Sequence, residues 1–164
     1  MNLNNLQEEI NKIKLINQGF KDLVLQFKKI IIIGNGGSNA IASHISVDYT
    51  KWLNIPTFSF SDSSMLTAYV NDFGIENAYK QFLINFASPD TFIILISSSG
   101  NSMNIVNAAK YCEENNFTYA GLSGFDFNNK LNSMNANFKY HVNYKSYGVV
   151  EIAHETLLHS IVTN

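Results

Sequence analysis

Residues 29–38 read KIIIIGNGGS, and this stretch decides the fold. Ile30, Ile31, Ile32 and Ile33 form a run of β-branched apolar residues too short for a helix of ordinary length. A strand buried on both faces of a parallel sheet needs such a run. The run stops at glycine. Gly34, Gly36 and Gly37 allow a tight turn with close backbone approach, Asn35 tolerates the left-handed region, and Ser38 is a good helix N-cap. Strand, glycine turn and helix start together aim backbone N–H groups and a helix N-terminus at an anion. On these residues alone a phosphate-holding loop and a plain strand-to-helix turn both remain open. A dinucleotide fingerprint requires glycine at position 39, where the chain has Asn39, and no Gly-Lys-Ser or Gly-Lys-Thr of a Walker loop follows.

The chain outward from this stretch alternates strands and helices. Residues 3–27 carry Leu6, Ile10, Ile13, Ile16, Phe20, Leu23, Val24 and Phe27 at spacings of three and four, which predicts an amphipathic helix that packs on the core or pairs with a partner chain. A second helix is expected from Ser38 to about Trp52, ending before Pro56. Residues 57–61 form a short strand. Loop and short helix follow with Ser61, Asp62 and Ser63 as a capping cluster, then a helix over 75–86. Ser88, Pro89 and Asp90 make a turn. TFIILI, residues 91–96, is the second strongly apolar run and a central strand; it passes through SSSGNS, residues 97–102, into a helix reaching about Glu114. Strands over 117–123 and 138–143 follow, separated by an Asn-rich loop, and a last helix runs from Val149 or Val150 to the end. This order gives one open parallel α/β sheet over residues 1–164, a helix at 1–27 preceding a core at 28–164. Ligands are expected beyond the carboxyl ends of the strands, where both glycine-serine turns lie.

Composition narrows the function classes. The chain has 164 residues, a net charge of −2 and 15% charged residues. That leaves no basic stripe for nucleic acid. Its apolar runs are too short to span a membrane, and no secretory signal is visible at the N-terminus. The single cysteine, Cys112, suits a reducing cytosol and falls on the apolar side of its helix with Ile105 and Ala109. Abundant Asn, Ser and Tyr suit hydrogen bonding to a polar metabolite.

The chemistry gathers at the turns. SSSGNS repeats the logic of the first turn, and a phosphate ester wants more donors than one helix end supplies. With IIGNGGSNAIASH, NDFG, ISSSGNSMNIVNAAKYCEENNFTYAGLSG and HETLLH in consistent order, the chain resembles the sugar isomerase (SIS) domain family, and within it the phosphoheptose isomerases. The resemblance implies an α/β three-layer sandwich with a five-stranded parallel flavodoxin-like sheet, a cytoplasmic homotetramer with sites shared between subunits, a phosphorylated sugar as substrate, and zinc. Ser38, Ser97, Ser99 and Ser102 then hold phosphate, with Ser98 where the family has threonine, while Asn35, Asn71 and Asp72 line the sugar pocket. The metal and acid/base positions fall at His44, Asp48, Glu151 and His159.

Spacing agrees in part: His44 and Asp48 are four apart on one helix face, and Glu151 and His159 about two turns apart on one stripe. Two histidines and two carboxylates suit zinc if their helices converge, from one subunit or several. His141 and His154 lack such partners. The implied chemistry interconverts ketose and aldose phosphates, sedoheptulose 7-phosphate to D-glycero-D-manno-heptose 7-phosphate, through an enediol, with Asp48 and His159 as proton-transfer groups, in the supply of lipopolysaccharide or capsule heptose. Against the family pattern, Asp48 replaces glutamate, Glu151 replaces glutamine, Gly148 and Val149 replace an aspartate-arginine pair, and a helix at the N-terminus is lacking. The competing class is a non-catalytic phosphosugar-binding or scaffold protein resembling the replication-initiator-associating type.

Overall fold

The computed structural model describes residues 3–162. Its centre is a five-stranded parallel sheet in the order β2-β1-β3-β4-β5, formed by β1 (Lys29–Gly34), β2 (Thr57–Ser59), β3 (Thr91–Ser97), β4 (Tyr119–Gly124) and β5 (Phe138–Val142). The four-isoleucine run becomes β1, paired in parallel on both sides, and TFIILI becomes the fully buried β3 beside it. Residues two apart in a strand share a face. Ile30, Ile32, Ile94 and Ile96 accordingly face one core, while Ile31, Ile33, Ile93 and Leu95 face the other.

Each core is roofed by helices. α1 (Leu3–Val24), α2 (Gly37–Asp48) and α6 (Tyr147–His159) cover one face; α3 (Ser63–Phe73), α4 (Ala78–Phe86) and α5 (Met103–Glu114) cover the other. This is the expected three-layer α/β arrangement with flavodoxin-like strand order. The first helix packs on the sheet: Ile13, Phe20 and Val24 are buried. Glu9 is buried beneath it, and Glu8 bonds at the surface. Tyr140 donates to Glu9 at 2.7 Å and Tyr144 to Glu8 at 2.6 Å, while Lys12 pairs with Glu9.

Several boundaries differ from the sequence expectation, each for a local reason. The first helix stops at Val24, where the chain turns toward β1, and β2 stops at Ser59 because Phe60 dives into the core. α2 does not run evenly to Trp52; a π turn over Tyr49–Leu53 continues it, and left-handed Asn54 ends it ahead of Pro56. Tyr49, buried, donates to the Leu158 carbonyl at 2.9 Å. The stretch expected as loop and short helix is the eleven-residue α3, capped by the Asp62 carboxylate on the Met65 N–H. α4 starts at Ala78 rather than Ile75, and β4 at Tyr119 rather than Phe117, because turns at Gly74 and Asn116 take up the intervening residues. α6 begins at Tyr147, earlier than the apolar periodicity indicates, and ends at His159; residues 163–164 lie outside the described residues.

Candidate active site

Strand register brings the two turns together. Gly34 at the end of β1 pairs with Ile96 near the end of β3, so the chain leaves adjacent strands at the same level. From there α2 packs on one face of the sheet and α5 on the other. A crevice opens between such diverging helices at the point where strand order reverses, and ligands of open α/β sheets occupy it. A cavity of about 240 Å³ is found here, lined by both turns and walled by Tyr147 and Glu151 of α6.

Each turn carries a glycine with positive φ. Gly36, not Ser38, occupies the N-cap of α2; its φ of 54° and ψ of −121° belong to glycine, and Ser38 instead lies buried in the first helical turn. In the second turn Gly100 has φ 65°, Ser97 donates to Ser102 at 3.3 Å, and Ser99 accepts from the Asn101 N–H at 3.2 Å. The Ser98 hydroxyl is buried without a partner among the described residues. Ser38, Ser97, Ser98, Ser99 and Ser102, the predicted phosphate contacts, all line this one cavity. Among the described residues no lysine or histidine does, and the one charged side chain in the lining is the carboxylate of Glu151. It sits so close over Gly37 that a Cβ there would stand 2.5 Å from Oε1.

Asn35 lines the cavity with its side chain engaged by the protein. Its amide nitrogen donates to Asn104 Oδ1 at 3.0 Å, and its oxygen accepts from Asn104 Nδ2 at 2.9 Å and from the Tyr79 hydroxyl at 2.7 Å. Burial pushes Tyr79 up to about 12, which keeps its O–H as a donor. Asn71 and Asp72 stand elsewhere: exposed at the end of α3, bonded to each other at 2.9 Å, outside the lining of this cavity.

Three of the four expected metal positions converge. His44 Nε2 lies 3.7 Å and His159 Nδ1 3.4 Å from the same oxygen of Asp48, and the imidazole centroids are 5.2 Å apart. One donor atom from each residue falls within 4.8 Å of the others. Tetrahedral zinc with bonds of about 2.0–2.2 Å wants ligand atoms only about 3.4 Å apart, so small side-chain rotations close the set and leave a position open. The residues present therefore suit a metal. Glu151 is not among them. It lies two turns earlier on α6, roughly 12 Å along the axis, and faces the two glycine-serine turns of its own chain. Glu155, 3.8 Å from His159 Nε2, is the nearer carboxylate, and its i, i+4 spacing to His159 was the available signal.

His154 and His141 are structural. His154 is buried; its Nε2 donates to the Ser123 carbonyl at 3.0 Å, and burial pulls its pKa down to about 4. His141 Nδ1 lies 3.0 Å from the Ser123 hydroxyl.

The chain is similar in sequence and fold to known proteins. No family model matches the chain. It is 29% identical to the phosphoheptose isomerase of Fusobacterium nucleatum over 161 residues, covering 95% of this chain and 82% of that protein. It is 36% identical to that of Buchnera aphidicola over 115 residues, 67% of this chain and 58% of the relative. Other curated relatives of the same name are likewise matched over about half to two thirds of their length. The solved phosphoheptose isomerase of Neisseria gonorrhoeae superposes with a TM-score of 0.89 at 26% identity, covering 98% of this chain and 90% of that one. That of Francisella tularensis gives 0.86 at 20% identity, over 98% and 89%, and speaks to the fold alone.

Proposed function

We propose that this chain, a phosphoheptose isomerase-like protein of the sugar isomerase (SIS) family, interconverts ketose and aldose phosphates, with sedoheptulose 7-phosphate as the ketose. The observation that carries the proposal is the convergence of five serines from two turns on one cavity at the carboxyl edge of the sheet. The hydroxyls of Ser38, Ser97, Ser98, Ser99 and Ser102, gathered beside the N-terminus of α2, suit a phosphate ester without a fixed cation. Held there, the phosphate orients the reacting end of an open-chain sugar.

Proton transfer falls to Asp48 and His159. One removes the proton from C1, next to the C2 carbonyl. The electrons of that C–H bond form the C1=C2 bond while the carbonyl electrons move to oxygen, which takes up a proton to give the enediol. Loss of the O1 proton then forms the C1 carbonyl as the carbon-bound proton is returned to C2. The imidazole of His159 is held from both sides, its Nδ1 3.4 Å from Asp48 and its Nε2 3.8 Å from Glu155. His44, Asp48 and His159 would hold zinc, whose chemistry there is to polarise the sugar oxygen. His44 lies six residues beyond Ser38 on α2, roughly 9 Å, within the span of an extended sugar phosphate. Resemblance to the family favours a cytoplasmic homotetramer with Glu151 of one subunit serving the metal of another, and a role in heptose supply for lipopolysaccharide or capsule.

The test is conversion of sedoheptulose 7-phosphate by the zinc-supplemented protein, with His159→Ala as the inactive comparison. Loss of turnover in His159→Ala, with the circular dichroism spectrum kept, supports the enzyme. Tight sugar-phosphate binding with no turnover in the unsubstituted chain replaces it with the binding-protein reading.

A further inference from the structure

The two anion-suited turns belong to segments far apart in sequence, and backbone pairing of β1 with β3 stops where the turns begin. What ties them beyond that point is a closed set of side-chain bonds. Asn35, in the first turn, and Asn104, in the first turn of α5, face each other with both carboxamides engaged, at 3.0 Å and 2.9 Å. Each carboxamide oxygen takes a second donor. Asn104 Oδ1 accepts the Ile105 N–H at 3.0 Å, and Asn35 Oδ1 accepts the Tyr79 hydroxyl, which also lies 2.9 Å from the Gly34 carbonyl. Tyr79 is itself fixed, buried with its ring edge-on to Phe60 at 5.5 Å. The pair is thus anchored from α4, from α5 and from the end of β1.

We infer that the Asn35–Asn104 pair, backed by Tyr79, positions the two turns relative to one another and so sets the spacing of the phosphate donors before ligand arrives. The inference rests on the phosphate-binding reading above. It gives Asn35 a role different from contacting the sugar: the acceptor capacity of its side chain is spent on the scaffold. Neutral amides suit the task, because a charged pair would add a field to a pocket that already holds Glu151. Donors fixed in advance bind without the ordering cost that mobile loops incur.

Binding of sedoheptulose 7-phosphate to the full chain, by calorimetry under conditions where every variant is folded, tests this. Asn35→Ala and Asn104→Ala are each expected to weaken binding by about tenfold, the size of one lost buried hydrogen-bonded unit, and the double variant by no more than either single. Tyr79→Phe, which keeps the ring, is expected to weaken it by about threefold. Amide hydrogen exchange should rise in both turns in Asn104→Ala, although the substitution lies on only one side. Unchanged affinity in the folded single variants, multiplicative losses in the double variant, or exchange confined to the substituted side each overturns the positioning role. Failure of the unsubstituted chain to bind overturns the phosphate reading, and this inference with it.

Discussion

Gly100→Ala strikes the second glycine-serine turn where its conformation and its packing are both demanding. At φ 65° an alanine pays the steric cost of a conformation that side chains avoid, about 1–3 kcal/mol. Its Cβ would also stand 1.8 Å from Asn129 Oδ1, and Asn129 has no room to withdraw, being 2% exposed. That side chain donates to the carbonyls of Gly124 and Asp126 at 3.2 Å and 2.7 Å and accepts the Asn132 N–H at 2.8 Å. Breaking these bonds costs roughly 1 kcal/mol each, so with the backbone cost the substitution should destabilise by about 4–6 kcal/mol, a large share of a typical domain's 5–15. Gly36→Ala is the internal control. Its φ is similar at 54°, but a Cβ there meets no atom within 4 Å, so only the backbone cost remains. Urea unfolding followed by circular dichroism at 25 °C measures both. Asn129→Ala combined with Gly100→Ala should be no less stable than Gly100→Ala alone, because the same bonds are lost in each. Equal destabilisation at Gly36 and Gly100, or additive losses in the double variant, would refute the packing argument.

Other consequences can be checked independently. Zinc retained after dialysis should fall from about one per chain to near none in His44→Ala and in His159→Ala, and metal analysis that finds it unchanged in both removes the cluster as the site. In metal-free protein, Glu151→Gln should bind inorganic phosphate about tenfold more tightly, since it removes the one like charge in the cavity; weaker binding would mean that the carboxylate helps hold the ligand. Stability should decline on acidification below about 6.5 toward about 4, because the folded chain keeps His154 neutral while the unfolded chain protonates it first. The slope is at most roughly 1.4 kcal/mol per pH unit for this group, His141 adding to it in the same direction, and His154→Gln should flatten the profile.

The sheet was legible because its signal is local. Two largely β-branched runs ending in glycine and serine say where the central strands lie and at which end the two turns meet, and parallel pairing does the rest. Helix ends were less legible. The π turn after Asp48 depends on where Tyr49 finds the Leu158 carbonyl, 109 residues away in the chain. The serines could be named from sequence because each sits in a turn whose composition announces it. Tyr79 and Asn104 could not, since a tyrosine in an apolar helix and an asparagine after a cap look ordinary until the turns are set side by side. His44, Asp48 and His159 could be grouped by resemblance and spacing, but only the packing of α2 against α6 separates them from Glu151.

Transfer of the proton next to the carbonyl tests the account most directly. Sedoheptulose 7-phosphate incubated in D2O with zinc-supplemented protein should gain deuterium at the carbon next to its carbonyl and give the aldose phosphate, both followed by proton NMR. Binding of the sugar phosphate with neither exchange nor product, under conditions where the protein is folded and zinc is bound, would contradict it.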